Sequence, residues 1–128
     1  MAVTNTNDYL PTGGVAEVAQ MTSANGTNES ADLIVGHAQG KRIKEIRVFS
    51  GPTNPIPAGT VLVLKLFDGT NSRTIGSAIC PGGPDNLQAF FTFTNLFLPT
   101  VAHAFRAQLR TPLATGATLD FTFVGEEF

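Results

Sequence analysis

The two histidines, His37 and His103, are the first candidates for catalysis because histidine is the commonest general base in enzymes. Serines and acidic residues are numerous enough to complete a Ser-His-Asp set on paper, but the chain contains no G-x-S-x-G nucleophile elbow. From position 103 to 110 every second residue is apolar, which places His103 on the same strand face as Phe105. This pattern predicts a partly buried structural histidine rather than a catalytic base.

Metal and thiol chemistry have few candidate residues. Cys80 is the only cysteine, which excludes an internal disulfide and argues against a cysteine-based zinc site. It has no basic neighbour in sequence that would activate its thiol, so we expect a small apolar side chain that closes a strand. Asp68 and Asp85 begin segments with oxygen ligands for calcium, but both segments fit turn chemistry without a metal. We therefore expect no cofactor and no metal.

Half of the eight basic residues lie within seven positions, as Lys41, Arg42, Lys44 and Arg47. With Glu45 among them, this run predicts either a solvated strand of mixed charge or a positive patch that docks on an acidic partner. Nucleic acid is not an expected partner. The net charge is −2, and no aromatic residues interleave with these cations as single-strand binding requires.

The elements that would carry these residues are strands. The residues of Val61–Phe67 and of 73–79 predict a hairpin, because Asp68-Gly69 lies between two apolar runs. Segments 103–110 and 118–124 alternate as strands with one buried face. About eight such short runs, with no helical stretch, predict an all-β, single-domain antiparallel β-sandwich or jelly roll over residues 15–128. Residues 1–14 are polar and unpatterned, which predicts an extended N-terminal arm.

Two segments are less regular. Residues 15–22 predict a strand or one helical turn. In the segment Lys41–Ser50, simple alternation puts Ile46 and Val48 on one face and Ile43 and Phe49 on the other. Apolar residues on both faces predict a strand in the middle of a sandwich or at a subunit contact.

The low share of charged residues favours a surface that other proteins cover. Charged residues make up only 14% of the 128, against about 25% in typical domains. The beginning of the chain lacks the pattern of a signal peptide, and no apolar run is long enough for a membrane span. We therefore expect synthesis in a cytoplasm and no membrane partner.

The chain resembles small β-sandwich virion structural proteins of tailed bacteriophages, in particular capsid decoration (cement) proteins. The likeness is a succession of a strand, a Gly/Thr/Pro loop and an apolar strand that ends in Asp-Gly. It is carried by residues 40–49, 58–69, 98–110 and 119–128. The chain departs from this pattern in the proline-rich 51–59 loop and in the insert at 80–86.

The resemblance implies a non-enzymatic protein on the capsid surface of a virion. Its partners would be the major capsid protein lattice and further copies of itself, as a homotrimer at a symmetry axis. The residues that we expect to contact the shell or a sister subunit belong to the arm, to the basic strand and to the chain's last position. They are Tyr9, Leu10, Lys41, Arg42, Lys44, Arg47 and Phe128. Phe128 would enter either the domain's own core or a neighbouring subunit.

Three other functions stay open. The same β domain would serve in a tail fibre, a baseplate or an adaptor. A carbohydrate-binding module normally needs exposed aromatic platforms, yet the chain has no tryptophan and its single tyrosine is Tyr9. A cupin-like metalloenzyme needs more histidines than two.

Overall fold

The computed structural model of the chain describes residues 13–51, 56–80 and 91–128. Within these ranges the chain forms eight β-strands and one 3₁₀ turn, Ser23–Asn25. The strands are β1 (Gly13–Thr22), β2 (Ile34–Val35), β3 (Lys41–Ser50), β4 (Val61–Phe67), β5 (Ser72–Ile79), β6 (Phe91–Leu98), β7 (Ala104–Leu109) and β8 (Thr118–Glu127). None of the described residues belongs to a helix that is long and apolar enough to cross a membrane.

The strands form two four-stranded sheets. Sheet A has the order β1-β8-β3-β6, and sheet B has the order β2-β7-β4-β5. All pairings are antiparallel, and the pairs β4–β5, β3–β6, β2–β7 and β1–β8 are nested around the central hairpin. This nesting is that of a jelly roll, in which one long hairpin is wound into two packed sheets. The predicted all-β sandwich or jelly roll of about eight strands is confirmed.

The core lies between the two sheets. Sheet A contributes fully buried side chains from β3 and β8, among them Ile46, Phe121 and Phe123. Sheet B contributes Leu64 of β4 and Phe105 of β7, both almost fully buried. Burial of a large apolar side chain contributes about 1.5–3 kcal/mol, so these alternating strands supply most of the stabilisation.

A β-bulge in β3 changes the predicted faces of that strand. Ile43 pairs with Gly125 of β8, and Glu45 pairs with the preceding Val124, so Lys44 is an extra residue. An extra residue reverses the alternation beyond it. Ile43, three residues before Ile46, therefore points into the same core, and both are fully buried. The prediction of apolar residues on both faces is wrong for Ile43, while Phe49 does lie on the outer face, half-buried.

The remaining strand predictions hold, with shifted bounds. Residues 15–22 form a strand, and β1 already begins at Gly13, inside the predicted arm, where Gly13 pairs with Glu127. The hairpin of β4 and β5 is confirmed, with Gly69 at a φ of +97° in its turn. The Asp68 carboxylate accepts bonds from the backbone N–H groups of Asn71 at 2.7 Å and Thr70 at 2.9 Å, which lower its pKa. Hydrogen bonding within the turn therefore explains an aspartate at position 68.

Gly125, opposite the bulge, has no room for a side chain. A Cβ atom on Gly125 would lie 1.9 Å from the carbonyl oxygen of Arg42, whereas one on Gly14 would meet nothing within 4 Å. We expect Gly125→Ala to lower the free energy of unfolding by about 1–3 kcal/mol, the range for overpacking. Urea denaturation measures it, with Gly14→Ala as the matched control. Equal stabilities of the two variants would contradict the bulge geometry.

Candidate functional site

The two histidines lie at turns at one end of the sandwich. His103 is half-buried just before β7, and its Nδ1 atom is 2.8 Å from the Thr100 hydroxyl. His37 is half-buried in the turn before β3. The Gly36 N–H donates to the His103 carbonyl at 2.8 Å, so the fold brings together two segments that are distant in sequence. The predicted partial burial of His103 is confirmed, and its ring nitrogen binds a turn hydroxyl.

Metal ligands do not cluster in the part of the chain that the structure describes. There, no group of three or more His, Cys, Asp or Glu side chains could hold a metal ion. Cys80 is 3% exposed directly after β5, with its sulfur 3.7 Å from the Ile56 carbonyl oxygen, as expected for a side chain that closes a strand. Asp85 lies outside the described residues.

Lys41 is placed differently from the other basic residues of β3. Its side chain is 9% exposed and points between the sheets. The ammonium donates to Glu17 of β1 at 3.1 Å and to the Val35 carbonyl of β2 at 2.8 Å. Lys41 thereby links sheet A to sheet B on the side where β1 and β2 are the edge strands. Its charge is thus paired within the monomer, and its predicted contact with a partner stays a prediction.

Arg42, Lys44 and Arg47 lie on the outer face of sheet A. Arg42 and Lys44 share the carboxylate of Glu126, and Arg47 pairs with Glu45. The hydrogen bond from Arg42 is the main cause that lowers the pKa of Glu126, with smaller contributions from the two positive charges. The bulge at Lys44 is what sets Arg47 on the same face as Arg42, since simple alternation would put residues 42 and 47 on opposite faces.

Two aromatic rings adjoin these cations. Phe97 of β6 lies directly opposite Arg42 and is 47% exposed. Phe128 donates its N–H to the Gly40 carbonyl at 3.0 Å, and its ring centroid is 6.4 Å from that of Phe97. The Arg42 guanidinium lies 5.8 Å from the centroid of the Phe128 ring, within the range of a cation–π contact.

These residues form one surface. We call the set of Arg42, Lys44, Arg47, Phe97 and Phe128 the basic–aromatic patch. Of the two outcomes open for Phe128, the structure shows it half-buried on the outer surface of its own domain rather than in the core. Tyr9 and Leu10 lie outside the described residues, so their predicted contacts stay predictions.

A second charged cluster, on sheet B, was not predicted. Glu29, in the loop between β1 and β2, binds Lys65 of β4 at 3.4 Å and Arg106 of β7 at 3.2 Å. Arg106 also donates to Asp32 at 2.6 Å, and its guanidinium lies 3.6 Å from the centroid of the Phe67 ring. The members come from separate segments, and only the outward position of Arg106 follows from sequence alternation. The cluster fixes the loop to sheet B and pairs its own charges.

Two depressions have linings poor in catalytic groups. An open groove of about 520 Å³ on sheet B is lined partly by Thr27, Lys65, Gln108 and Arg110. An apolar cleft of about 300 Å³ lies between the segments 56–60 and 111–117. Neither lining contains a histidine, cysteine or carboxylate.

In comparisons with known proteins, no family model and no curated protein matches the chain. The basic–aromatic patch is therefore interpreted from its own geometry.

The Glu29 cluster predicts a pH dependence of stability. Burial would raise the pKa of Glu29, but hydrogen bonds from Ser72, Arg106 and Lys65 outweigh it and lower the pKa. A lowered folded-state pKa gives stability that is present above the unfolded value of 4.5 and is lost as the pH falls through the folded value. We expect Glu29→Gln to lower the free energy of unfolding by about 1 kcal/mol at pH 7.

Chemical denaturation at pH 7 and at pH 3 measures this difference. As the pH falls from 7 through the lowered folded-state pKa of Glu29, the wild-type carboxylate takes up a proton, so the stabilities of the two proteins should converge. A difference that stays constant across this range would contradict the charged role of Glu29.

Proposed function

We propose that the chain is a virion structural protein that binds the outer surface of an assembled capsid as a decoration (cement) protein. The observation that carries the proposal is the basic–aromatic patch on the outer face of sheet A. Jelly rolls also serve in lectins and cupins, so the fold supports the proposal without deciding it. The resemblance described above gives the class of partner, an assembled lattice of major capsid protein.

The patch suits a protein partner. Arg42, Lys44 and Arg47 expose about half or more of their side chains, while their acidic partners are less exposed. The face therefore presents positive charge, which steers and orients a partner with an acidic surface. Phe97 of β6, and Val124 of β8 on the same sheet face, 48% exposed, add apolar area whose burial would provide affinity.

Sugar stacking is less well supported by the same residues. The rings of Phe97 and Phe128 are tilted by 49° to each other, and the Arg42 guanidinium lies over Phe128. A flat platform for a sugar ring would need an uncovered aromatic face.

The proposed mechanism is stabilisation by binding. A protein that binds the assembled lattice more tightly than free capsid subunits shifts the equilibrium towards the shell by mass action. Each contact can be weak, because many equivalent copies act on one particle.

Charge neutralisation on the patch tests the proposal. We expect Arg42→Gln with Arg47→Gln to weaken co-sedimentation with assembled heads of the encoding virus by about tenfold or more. Wild-type binding should also weaken as salt is raised. Arg110→Gln, at an exposed arginine directly after β7, is the control and should bind as the wild type does.

Thermal melts of each variant separate loss of binding from loss of folding. Failure of the wild-type protein to co-sediment with heads would overturn the proposed function. Recovery on tails instead would assign the protein to the tail. Equal weakening by Arg110→Gln would show that the patch is not the contact surface.

A further inference from the structure

Within the residues that the structure describes, the two sheets have four edge strands, and three of them are short or interrupted. β2 has only two residues. β6 contains Asn95 at a φ of +59° beside the bulge of β3. β5 pairs with β4 across a second register shift, between Leu64 and Lys65, and carries the exposed Arg73. Such short lengths, bulges and charges are the usual devices that prevent strand addition at an edge.

β1 has fewer of these devices. Its ten residues pair with β8 in one unbroken register from Gly13 to Thr22. On its other side it pairs with no strand within residues 13–51, 56–80 and 91–128. It contains no proline and no basic residue, and its single charge, Glu17, is paired with Lys41. Val18, at its centre, is 80% exposed, the largest exposure among the exposed large hydrophobic residues. A long, regular and nearly neutral edge is a template for another strand.

We infer that β1 pairs antiparallel with β1 of a second copy of this chain, on a twofold axis at Val18. The two A sheets then form one continuous eight-stranded sheet. This interface does not depend on the proposed function. It also predicts a dimer, in contrast to the homotrimer that the family resemblance implies.

The register follows from charge and from the strand period. Directly opposite residues share a face, so a twofold axis passes through one residue of β1. An axis at Glu17 would set two carboxylates directly opposite each other, which is destabilising. An axis at Val18 sets Glu17 beside Ala19 of the other copy and joins the two valines. It also pairs Ala16 with Gln20 on the outer face and uses the strand from Gly14 to Thr22.

Self-pairing is favoured over a foreign strand because β1 complements itself. In this register each copy offers mostly small, neutral or apolar side chains to the same set on the other copy, without like charges directly opposite each other. An isologous contact of this kind also closes, so it gives a dimer rather than a filament.

A cysteine on the proposed axis tests the inference directly. Val18→Cys would place two cysteines directly opposite each other with their Cα atoms about 4.5–5.5 Å apart, within the range that a disulfide spans. We expect oxidised glutathione to convert this variant to a covalent dimer of twice the 13.5 kDa chain mass. Val124→Cys, exposed on the same face but one strand inward, is the matched control and should stay uncrosslinked.

Sedimentation equilibrium of the uncrosslinked full chain provides the second measurement. The wild type should show a reversible dimer. Val18→Lys should weaken it about tenfold or more, since an edge lysine opposes strand addition, and Val124→Lys should not. A monomeric or trimeric wild type, or Val18→Cys that crosslinks no better than the control, would overturn the inference. Coverage of β1 by residues 1–12 of the same chain would appear as the monomer.

A charge pair tests the register. In the proposed alignment Ala16 of one copy lies beside Gln20 of the other. Ala16→Lys with Gln20→Lys should weaken the dimer relative to Ala16→Glu with Gln20→Lys, because like charges oppose across the strands in the first pair only. Equal dimer dissociation constants for the two double variants would overturn this register.

Discussion

The β-bulge at Lys44 is the constraint on which the rest of sheet A depends. One extra residue in β3 turns Ile46 and Val48 towards the core that already holds Ile43. The same residue turns Arg47 outward beside Arg42. Gly125 lies opposite the bulge because a side chain there would meet the β3 backbone. The core and the basic–aromatic patch are therefore two consequences of a single local geometry.

The sequence predicts those parts of the structure whose physics is local. Asp68-Gly69 specifies the turn of the β4–β5 hairpin, and alternation identifies the buried face of β7 and of β8. The bulge was missed because a one-residue insertion leaves no mark in composition and shifts alternation only when the partner strand is known. The inward turn of Lys41 depends on Glu17 and on the Val35 carbonyl, which only the tertiary fold brings close.

The candidate site was predicted to a similar extent. Basic character on β3 and an aromatic residue at position 128 were both evident from sequence. The proximity of these residues to Phe97 was not evident from sequence. It requires β6 to pair with β3 and the end of the chain to bond to Gly40. The Glu29 cluster likewise joins the loop before β2 to strands β4, β5 and β7, so no sequence window contains it.

The outer faces of the two sheets differ in the groups that they expose. On sheet B a loop and paired charges occupy part of the outer surface. Sheet A has exposed cations and aromatic rings on its outer face and, on the far side of β8, the uninterrupted edge strand β1. An attachment role for the domain would place sheet A against the larger partner. Dimerisation through β1 would extend that face without covering the patch.

Cryo-electron microscopy tests the proposed attachment to a viral capsid most directly. We predict jelly-roll density on the outside of the head, with the outer face of sheet A and Arg42 turned towards the shell. Density that places sheet B against the shell, or particles in which the chain is absent from the head, would contradict the account.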